Sequence, residues 1–310
     1  MRAVTFGETM IRLSTEENER FEQAKKLELS LAGAESNFAI AFAKLGGISS
    51  FASVFPDNPL GLWSLDEIRK HGVDVSDILL TEGRMGLYFV EQGKKPRTTK
   101  VVYDRKNSAF AMAKEFRINI EACDLVHTTG ITLALSEKAR EEAYGLFRRA
   151  KEKGIKRSFD VNYREKLWDA EEAFKAIEPM LDNVDILFST IDDVRKVFGI
   201  DRESCAEELY ARYGIPDIVI TLGKDGALCL KDGELLKEGG YEIETVDRIG
   251  AGDAFDAAFA LLSLEEKDAG KALRYAVASA ALAHTIKGDI FYARREEIEE
   301  MLGLRRGVFR

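Results

Sequence analysis

The sequence is poor in cysteine, histidine and proline: 310 residues include three, three and five of them, respectively. The cysteines are Cys123, Cys205 and Cys229, and the histidines are His71, His127 and His284. An odd number of widely spaced cysteines favours a reducing compartment over a disulfide framework. Since no CxxC pair occurs and the histidines are equally scattered, no zinc-binding or histidine-based metal motif is visible.

Long apolar runs and an excess of positive charge are also missing. No uninterrupted stretch approaches the ~18 apolar residues that would suggest a membrane span. The N-terminus, MRAVTFGETM, has no apolar core of the length that a signal peptide needs. A formal net charge of −9 argues against nucleic acid or an anionic membrane held by global electrostatics. We therefore expect a cytoplasmic protein with neither a nucleic-acid nor a membrane partner.

The hydrophobic pattern from about residue 125 onward alternates between strands and helices. The predicted strands are LVHTTG, SFDVN, DILFS and DIVITLG, and a hairpin, ALCLKDGELLKE, follows the last of them. Between the first two strands, apolar residues at helical spacing form one stripe: Ala139, Ala143, Leu146, Phe147 and Ala150. Strands separated by helices of this length predict βαβ units and a parallel sheet that is covered on both faces.

The first hundred residues contain a second kind of strand. The segments MIRLS, KLELSL, GLYFVEQ and TTKVVYDR alternate in polarity, and some of them have no helix between them. We expect the segments near residues 10–32 and 84–105 to form a separate small β-lid over one α/β domain that spans residues 1–310. Such a lid can close over a ligand. Its exposed faces also leave open a homo-oligomer formed through the lid.

The stretch RIGAGDAFDAAFA, residues 248–260, places glycines and an aspartate ahead of an apolar helix. Phe255, Ala258 and Phe259 belong to the stripe of that helix, so its start is expected near Asp253. Glycines at a helix N-terminus allow several free N–H groups to converge on one anion. A turn in which Asp253 only caps the helix is the alternative, and this stretch alone leaves both open.

Two common nucleotide-binding motifs do not occur. The pattern GxxxxGK[ST] is missing, which argues against a P-loop NTPase. No GxGxxG follows the first strand, which argues against a nicotinamide dehydrogenase. What is present is GAGD, together with TLGKDG at residues 221–226. The latter lies at the carboxyl end of a predicted strand, where open parallel sheets bind ligands.

These motifs resemble those of a known family. VDRIGAGDAFDAAFA resembles the C-terminal signature of the PfkB (ribokinase-like) carbohydrate kinases, AGAESNFAIAFAKLGG at residues 32–47 resembles their N-terminal signature, and TLGKDG resembles their nucleotide-side strand and turn. The three motifs stand in the family's order across nearly the whole chain. The resemblance implies an α/β, three-layer ribokinase-like sandwich with a mostly parallel central sheet and a small β-sheet lid. It also implies a kinase that uses ATP and Mg²⁺.

The resemblance also implies site residues. Asp253 is the expected base, and Gly250, Ala251 and Gly252 are expected to offer N–H groups to the transferred phosphoryl group. The expected nucleotide-binding residues are Asn162, Thr190, Thr221, Gly223 and Gly226. Two positions depart from the family pattern: Asp247-Arg248 stands for Asp-Thr, and Thr190-Ile191-Asp192-Asp193 stands for Asn-x-x-Glu. Asp193 keeps a carboxylate for indirect Mg²⁺ contact, and a solvated helix cap is the alternative for Thr190.

The substrate side resembles one subfamily. FDVNYREKLW at 159–168 and VVYDRKNSAF at 101–110 resemble motifs of 2-keto-3-deoxygluconate kinases, and also of some fructokinases. The first subfamily implies a sugar pocket lined by Gly33, Asn37, Tyr88, Tyr103, Arg105, Arg164 and Asp289. A buried sugar carboxylate needs a matched cation, so Arg105 and Arg164 favour an acid as substrate. The alternatives are that these arginines form ordinary salt bridges, or that Arg164 reaches the nucleotide phosphates.

We expect a kinase that phosphorylates the terminal hydroxyl of 2-keto-3-deoxygluconate. Fructose or another neutral sugar is the alternative substrate within the same mechanism. A non-catalytic sugar or nucleotide sensor is the alternative from another class, because a fold does not by itself establish a function. The aspartate of GAGD argues against the sensor.

Overall fold

The computed structural model describes residues 1–94, 96–201 and 204–304. The strands are β1 (Arg2–Phe6), β2 (Met10–Ser14), β3 (Glu28–Ala32), β4 (Ile48–Pro56), β5 (Ile78–Thr81), β6 (Gly86–Glu91), β7 (Lys100–Asp104), β8 (Leu125–Thr129), β9 (Lys156–Asp160), β10 (Ile186–Thr190), β11 (Asp217–Thr221), β12 (Ala227–Lys231) and β13 (Glu234–Glu238). The helices are α1 (Ala34–Lys44), α2 (Pro59–Lys70), α3 (Gly130–Leu135), α4 (Glu137–Glu152), α5 (Ala170–Leu181), α6 (Ile191–Phe198), α7 (Cys205–Tyr213), α8 (Ala251–Glu266), α9 (Ala269–His284) and α10 (Arg295–Met301).

Nine of the strands form the large sheet, in the order β13-β12-β11-β10-β9-β8-β1-β4-β5. Neighbours from β11 to β5 pair in parallel, whereas β12 and β13 add an antiparallel edge. The predicted mostly parallel sheet is therefore confirmed. Its parallel strands end at one edge, where α/β proteins bind ligands.

Helices cover both faces of the large sheet. The predicted stripe of α4 is fully buried on one face, together with apolar residues of α5, α6 and α7. On the other face, α1, α8 and α9 share a second core. Alanines such as Ala257 and Ala276 are fully buried there, and their small side chains let α8 and α9 pack closely. The predicted three-layer sandwich is confirmed.

The remaining four strands form the small sheet, in the order β3-β2-β6-β7. All four segments predicted as separate strands belong to it. Ile11 and Leu31 on one of its faces pack with Phe51 and Phe55 of β4, so the small sheet shares a core with the large layer. The predicted domain end, 305–310, lies outside the described residues, as does Lys95 within the predicted lid segment.

Two boundaries differ from the sequence prediction. Helix α8 begins at Ala251, two residues before the expected start, because Gly250 takes φ 83° and already serves as its N-cap. Strand β9 ends at Asp160 instead of continuing through Asn162. The backbone turns there, since Asn162 has φ 40° and donates its N–H to Asp160 Oδ1 (3.1 Å). Among the described helices, none combines the length and the apolar content needed to cross a membrane.

Candidate active site

The glycine turn lies at the N-terminus of α8. Gly250 adopts a left-handed conformation, and a Cβ built on it would stand 2.1 Å from the carbonyl oxygen of Asp289, so a side chain does not fit. Gly252 is exposed, and a Cβ built on it meets no atom within 4 Å. The N–H groups of the first helical turn, including those of Ala251 and Asp253, have no acceptor within the helix. A ligand anion can therefore approach this backbone closely.

Asp253 is a half-buried carboxylate in that first turn. Its Oδ2 accepts a hydrogen bond from Asn37 Nδ2 (2.7 Å), which joins α8 to α1. Burial raises the pKa of Asp253 to about 7, although the Asn37 hydrogen bond and the charge of Arg164 lower it. Asp289 and Glu35 raise it further. A carboxylate with a pKa near neutrality can both accept and release a proton at physiological pH.

Two further aspartates, Asp160 and Asp256, lie close enough to Asp253 for its charge to act on them. Burial raises the pKa of Asp160 and of Asp256 well above the usual range. The charge of Asp253 raises both pKa values further, because neighbouring carboxylates disfavour each other's ionisation. Nearby Glu35 is also buried, which raises its pKa, and its Oε1 accepts hydrogen bonds from Thr129 and Thr132.

The predicted nucleotide-side residues are gathered at the carboxyl ends of three adjacent strands. Thr190 ends β10 and is the register partner of Thr221 at the end of β11. Asn162 follows β9, the other neighbour of β10. After β11, a Cβ built on Gly226 would stand 2.0 Å from the carbonyl oxygen of Glu238, whereas Gly223 has open space around it. The strand order thus brings together residues that are up to 64 positions apart, from 162 to 226.

Thr190 caps a helix in this structure. Its Oγ1 accepts the backbone N–H of Asp193 (3.0 Å) at the start of α6. Burial raises the pKa of Asp193, while Arg164 and Thr190 lower it. In the described ranges no group of three or more His, Cys, Asp or Glu side chains is arranged to hold a metal ion. The donors at this edge suit Mg²⁺ in the form it commonly takes, with few protein carboxylates and several waters or phosphate oxygens.

The predicted sugar-side residues fall into several groups. Asn37 lies beside Asp253. Gly33 is the residue before α1, and it packs so closely against Glu8 that a Cβ built on Gly33 would stand 2.4 Å from the carbonyl oxygen of Glu8. Tyr88, on β6, is buried and donates its hydroxyl to Asp289 Oδ2 (2.8 Å). Burial raises the pKa of Asp289 to about 6, although Arg12 and Tyr88 lower it.

Tyr103 and the two predicted arginines differ in exposure. Tyr103 is 40% exposed on β7 and stacks on Tyr88 with ring centroids 5.7 Å apart. The side chain of Arg105 is largely buried and donates from Nε to Glu8 Oε2 (3.0 Å), and Nη2 contacts the same oxygen. Arg164 is exposed, with Nη1 near the Tyr163 carbonyl oxygen (3.3 Å). Its charge lowers the pKa of Asp253, which is consistent with a position beside the glycine turn.

Three charged residues that organise the site have no role assigned to them from the sequence. Glu8 accepts from Arg105 and from Ser108, Arg12 contacts Asp289, and Asp247 supports the turn ahead of Gly250. One signal was available for Arg12. It stands between Met10 and Ser14 in a short apolar strand, where an inward-facing charge needs a partner.

Comparison with known proteins agrees with this architecture. Residues 2–294 match the family described as pfkB family carbohydrate kinase. The chain is 41% identical over 304 residues to a 2-dehydro-3-deoxygalactonokinase of Haloferax volcanii, covering 96% of both chains. It is 33% identical over 293 residues to a 2-dehydro-3-deoxygluconokinase of Thermoproteus tenax, covering 92% of this chain and 89% of the relative. The crystal structure of a 2-dehydro-3-deoxygluconokinase from Thermotoga maritima superposes with a TM-score of 0.94 at 35% identity, covering 98% of each chain.

The fold and the matches define the class of this protein: it is a carbohydrate kinase with a ribokinase-like fold. The chain belongs to the PfkB family of carbohydrate kinases, as its motifs predicted. Membership in a kinase family implies the use of ATP.

Proposed function

We propose that this kinase transfers the γ-phosphoryl group of ATP to the terminal hydroxyl of a 2-keto-3-deoxy sugar acid, with 2-keto-3-deoxygluconate as the predicted substrate. The observation that carries the proposal is the position of Asp253 in the first turn of α8, held by Asn37. The kinases named above, which act on the gluconate and the galactonate, support this substrate class. These two sugar acids are epimers, so both belong in the test.

Asp253 is the proposed base. Burial brings its pKa to about 7, so a large fraction is ionised at neutral pH and can take a hydroxyl proton as the oxygen attacks phosphorus. The Asn37 amide occupies one carboxylate oxygen, Oδ2, and thereby orients the group. The other oxygen, Oδ1, is then the natural acceptor for the substrate proton.

The turn before Asp253 is the proposed anion hole. Backbone N–H groups of Gly250, Ala251 and Gly252, with that of Asp253, lie at the positive end of the α8 dipole. Fixed donors stabilise charge that develops on the transferred phosphoryl oxygens without reorganising during the reaction. The open space at Gly252 lets the phosphoryl group come within hydrogen-bond distance of the backbone.

For the nucleotide, we propose the carboxyl edge of β9, β10 and β11. The residues that would hold ATP there are Asn162, Thr190, Thr221, Gly223 and Gly226. Asp193 would hold Mg²⁺ indirectly, through water, and the ion when bound would neutralise phosphate charge. Arg164 lies close enough to Asp193 and Asp253 to lower the pKa of both carboxyl groups.

For the sugar acid, we propose that two arginines approach the carboxylate from the two layers. Arg105 follows β7 of the small sheet and Arg164 follows β9 of the large sheet. These layers touch at this point: Lys166 Nζ donates to the carbonyl oxygen of Val101 on β7 (2.9 Å). Glu8 already balances the charge of Arg105, so Arg164 would supply most of the net attraction for an anionic substrate.

The remaining sugar contacts are proposed from the same layers. Gly33 and Asn37 flank the start of α1, and Tyr88 and Tyr103 of the small sheet would form another wall of the pocket together with Asp289. Closure of the small sheet as a lid would exclude water from the reacting groups. A single domain spanning residues 1–310 and a homo-oligomer formed through the lid are parts of the same proposal.

The experiment that tests this function is a coupled ADP-release assay with MgATP. The sugars compared are 2-keto-3-deoxygluconate, 2-keto-3-deoxygalactonate, 2-keto-gluconate, fructose and ribose. A kcat/KM that is highest for the two keto-deoxy acids supports the proposal. A preference for fructose or ribose would retain the kinase and reject the acid site.

Asp253→Asn tests the mechanism in the same assay. We expect the variant to bind ATP normally in calorimetry and to lose roughly 10²- to 10⁴-fold in kcat, the range that a positioned base contributes. Retained turnover would reject Asp253 as the base. A wild-type protein that binds ATP and sugar acid but releases no ADP with any sugar would instead indicate the sensor.

A further inference from the structure

A buried arginine of the small sheet connects two aspartates that lie on either side of the glycine turn. The side chain of Arg12, in the middle of β2, is 1% exposed. Its Nη1 donates to Asp289 Oδ1 (2.5 Å) and its Nη2 to Asp247 Oδ2 (2.7 Å). Its Nε donates to Ser14 Oγ (2.9 Å). Each nitrogen of the guanidinium therefore has its own acceptor.

Asp247 fixes the backbone that enters the turn. Its Oδ1 accepts the N–H groups of Arg248 (2.8 Å) and Ile249 (3.3 Å), the two residues before Gly250. Its Oδ2, which Arg12 contacts, also accepts the N–H of Gly288 (3.2 Å). The carboxylate thus connects the backbone of Arg248 and Ile249, just before the turn, to Gly288 in the segment that follows α9.

Asp289 supports the turn from the other side. Its carboxylate is divided between Arg12 and Tyr88, both of which belong to the small sheet. Its carbonyl oxygen lies directly against Gly250, in the place that a Cβ there would need. The guanidinium of Arg12 therefore binds both Asp247 and Asp289, the two residues that contact the turn, and connects them to β2.

The charge balance favours arginine at this position. Although burial alone would lower it, the neighbouring Asp289, Tyr88 and Asp247 raise the pKa of Arg12 above its usual value, so the guanidinium stays charged. Its planar fork can donate to two carboxylates at once, whereas a lysine ammonium is a single point of charge. The loss of either partner would leave a buried charge unpaired.

We propose that Arg12 is a positioning residue for phosphoryl transfer, which ties the small sheet to the turn at residues 248–252 and so keeps the N–H groups of the turn in place. The inference rests on the anion-hole role proposed above for that turn. Arg12 acts through Asp247 and Asp289 and not on the reacting atoms. Replacement of Arg12 should therefore lower kcat. The KM for MgATP should stay unchanged, because the proposed ATP contacts lie at the carboxyl ends of β9, β10 and β11.

The test is Arg12→Lys in steady-state kinetics with MgATP and the preferred sugar acid. We expect kcat to fall about 10- to 100-fold, the scale of a displacement near 1 Å in a catalytic group. The matched control is Arg84→Lys, since Arg84 pairs with Asp104 beside the same sheet but is exposed. A kcat for Arg12→Lys equal to that of the Arg84 control would overturn the proposal, as would an equal loss in kcat and in ATP affinity.

A double-mutant cycle separates positioning from general destabilisation. If Arg12 acts through Asp247, the double variant Arg12→Lys/Asp247→Asn should have a kcat within about twofold of the slower single variant. Losses that multiply would reject the coupling. Should these variants fail to fold, Ser14→Ala removes only the acceptor of Nε and is expected to lower kcat modestly, and an unchanged kcat there would also count against the proposal.

The Asp253→Asn variant distinguishes this inference from the proposed function. If Asp253→Asn is inactive while Arg12→Lys has the wild-type kcat, the role of Arg12 fails and the mechanism stands. If Asp253→Asn remains active while Arg12→Lys loses kcat, the proposed base fails, and the role of Arg12, which depends on the turn and not on the base, stands.

Discussion

The amide of Asn37 donates to the carboxylate of Asp253 across 2.7 Å, which joins two helices whose contact residues are 216 positions apart in the chain. The bond links the N-terminal motif of the family to its C-terminal motif. It also favours the ionised form of the proposed base, because it lowers the pKa of Asp253, which burial nevertheless raises to about 7.

The pH dependence of catalysis should follow Asp253. Its pKa of about 7 predicts that kcat/KM rises with pH until Asp253 is fully ionised and that it falls at pH 6, where the carboxyl group is mostly protonated. Arg164 lowers this pKa, so Arg164→Gln should move the acidic limb of the profile to higher pH. A pH–rate profile of both proteins measures this, and an acidic limb near pH 4 would contradict it.

Protonation of Asp253 should also stabilise the folded protein. The folded-state pKa of Asp253 lies above its usual value of 3.8, so the folded protein binds the proton more tightly than the unfolded chain. This contribution to stability is present below pH 4 and is lost as pH rises to about 7. Asp253→Asn should therefore make the free energy of unfolding less dependent on pH in this window. Urea titrations at several pH values test this, and parallel curves for the two proteins would disprove it.

The two glycines of the turn should respond oppositely to alanine. Gly250→Ala combines φ 83° with a clash against Asp289, so it should destabilise the fold by about 1–3 kcal/mol. Gly252→Ala, with open space in the first helical turn, should stabilise the fold by up to about 1 kcal/mol. Its methyl group would nevertheless reduce kcat, because it stands where the phosphoryl group is proposed to approach. Thermal unfolding and kcat together check this, and a Gly252→Ala variant with full activity would contradict the anion hole.

The two arginines should determine acid specificity. Since a charge-assisted hydrogen bond contributes about 1.5–3 kcal/mol, Arg164→Ala should lower kcat/KM for the keto acid about 10- to 100-fold. Arg105→Ala should lower it less, because Glu8 already balances the charge of Arg105. Values for fructose should change far less. The exposed Arg84→Ala is the control for a lost charge beside the small sheet. Equal losses for the acid and for fructose would show that these arginines do not bind the substrate carboxylate.

Thr190 offers a test of the metal side. Thr190→Asn should keep the cap of α6, because asparagine caps helices at least as well as threonine. It also restores the Asn of the family pattern, so we expect less Mg²⁺ to be needed for half-maximal rate. Thr190→Val loses the cap and should destabilise the protein by about 1 kcal/mol. An Mg²⁺ requirement that is unchanged in Thr190→Asn would leave Thr190 with the helix-cap role alone.

Local patterns in the sequence determined much of the fold. The stripe from Ala139 to Ala150 and the alternation in MIRLS follow from side-chain periodicity, which acts over neighbouring residues. The motif at residues 248–253 likewise predicted a glycine turn at a helix start, because backbone conformation at Gly250 depends mainly on the residue itself. Helix α8 starts two residues before the predicted position, because Gly250 adopts the left-handed conformation and serves as its N-cap.

Charged partners in the site were decided by tertiary structure. The sequence marked Arg105 as a candidate ligand for a carboxylate, but only the packing of the small sheet brought Glu8 against it, 97 positions away. Nothing local in the sequence indicates the acceptors of Arg12, because Asp247 and Asp289 lie 235 and 277 positions away. Periodicity indicates which residues are buried, whereas the partner of a buried charge depends on how two sheets and a distant loop come together. The sequence by itself therefore determined the class of protein and the glycine turn at the start of α8, and the tertiary structure decided which charges meet around that turn.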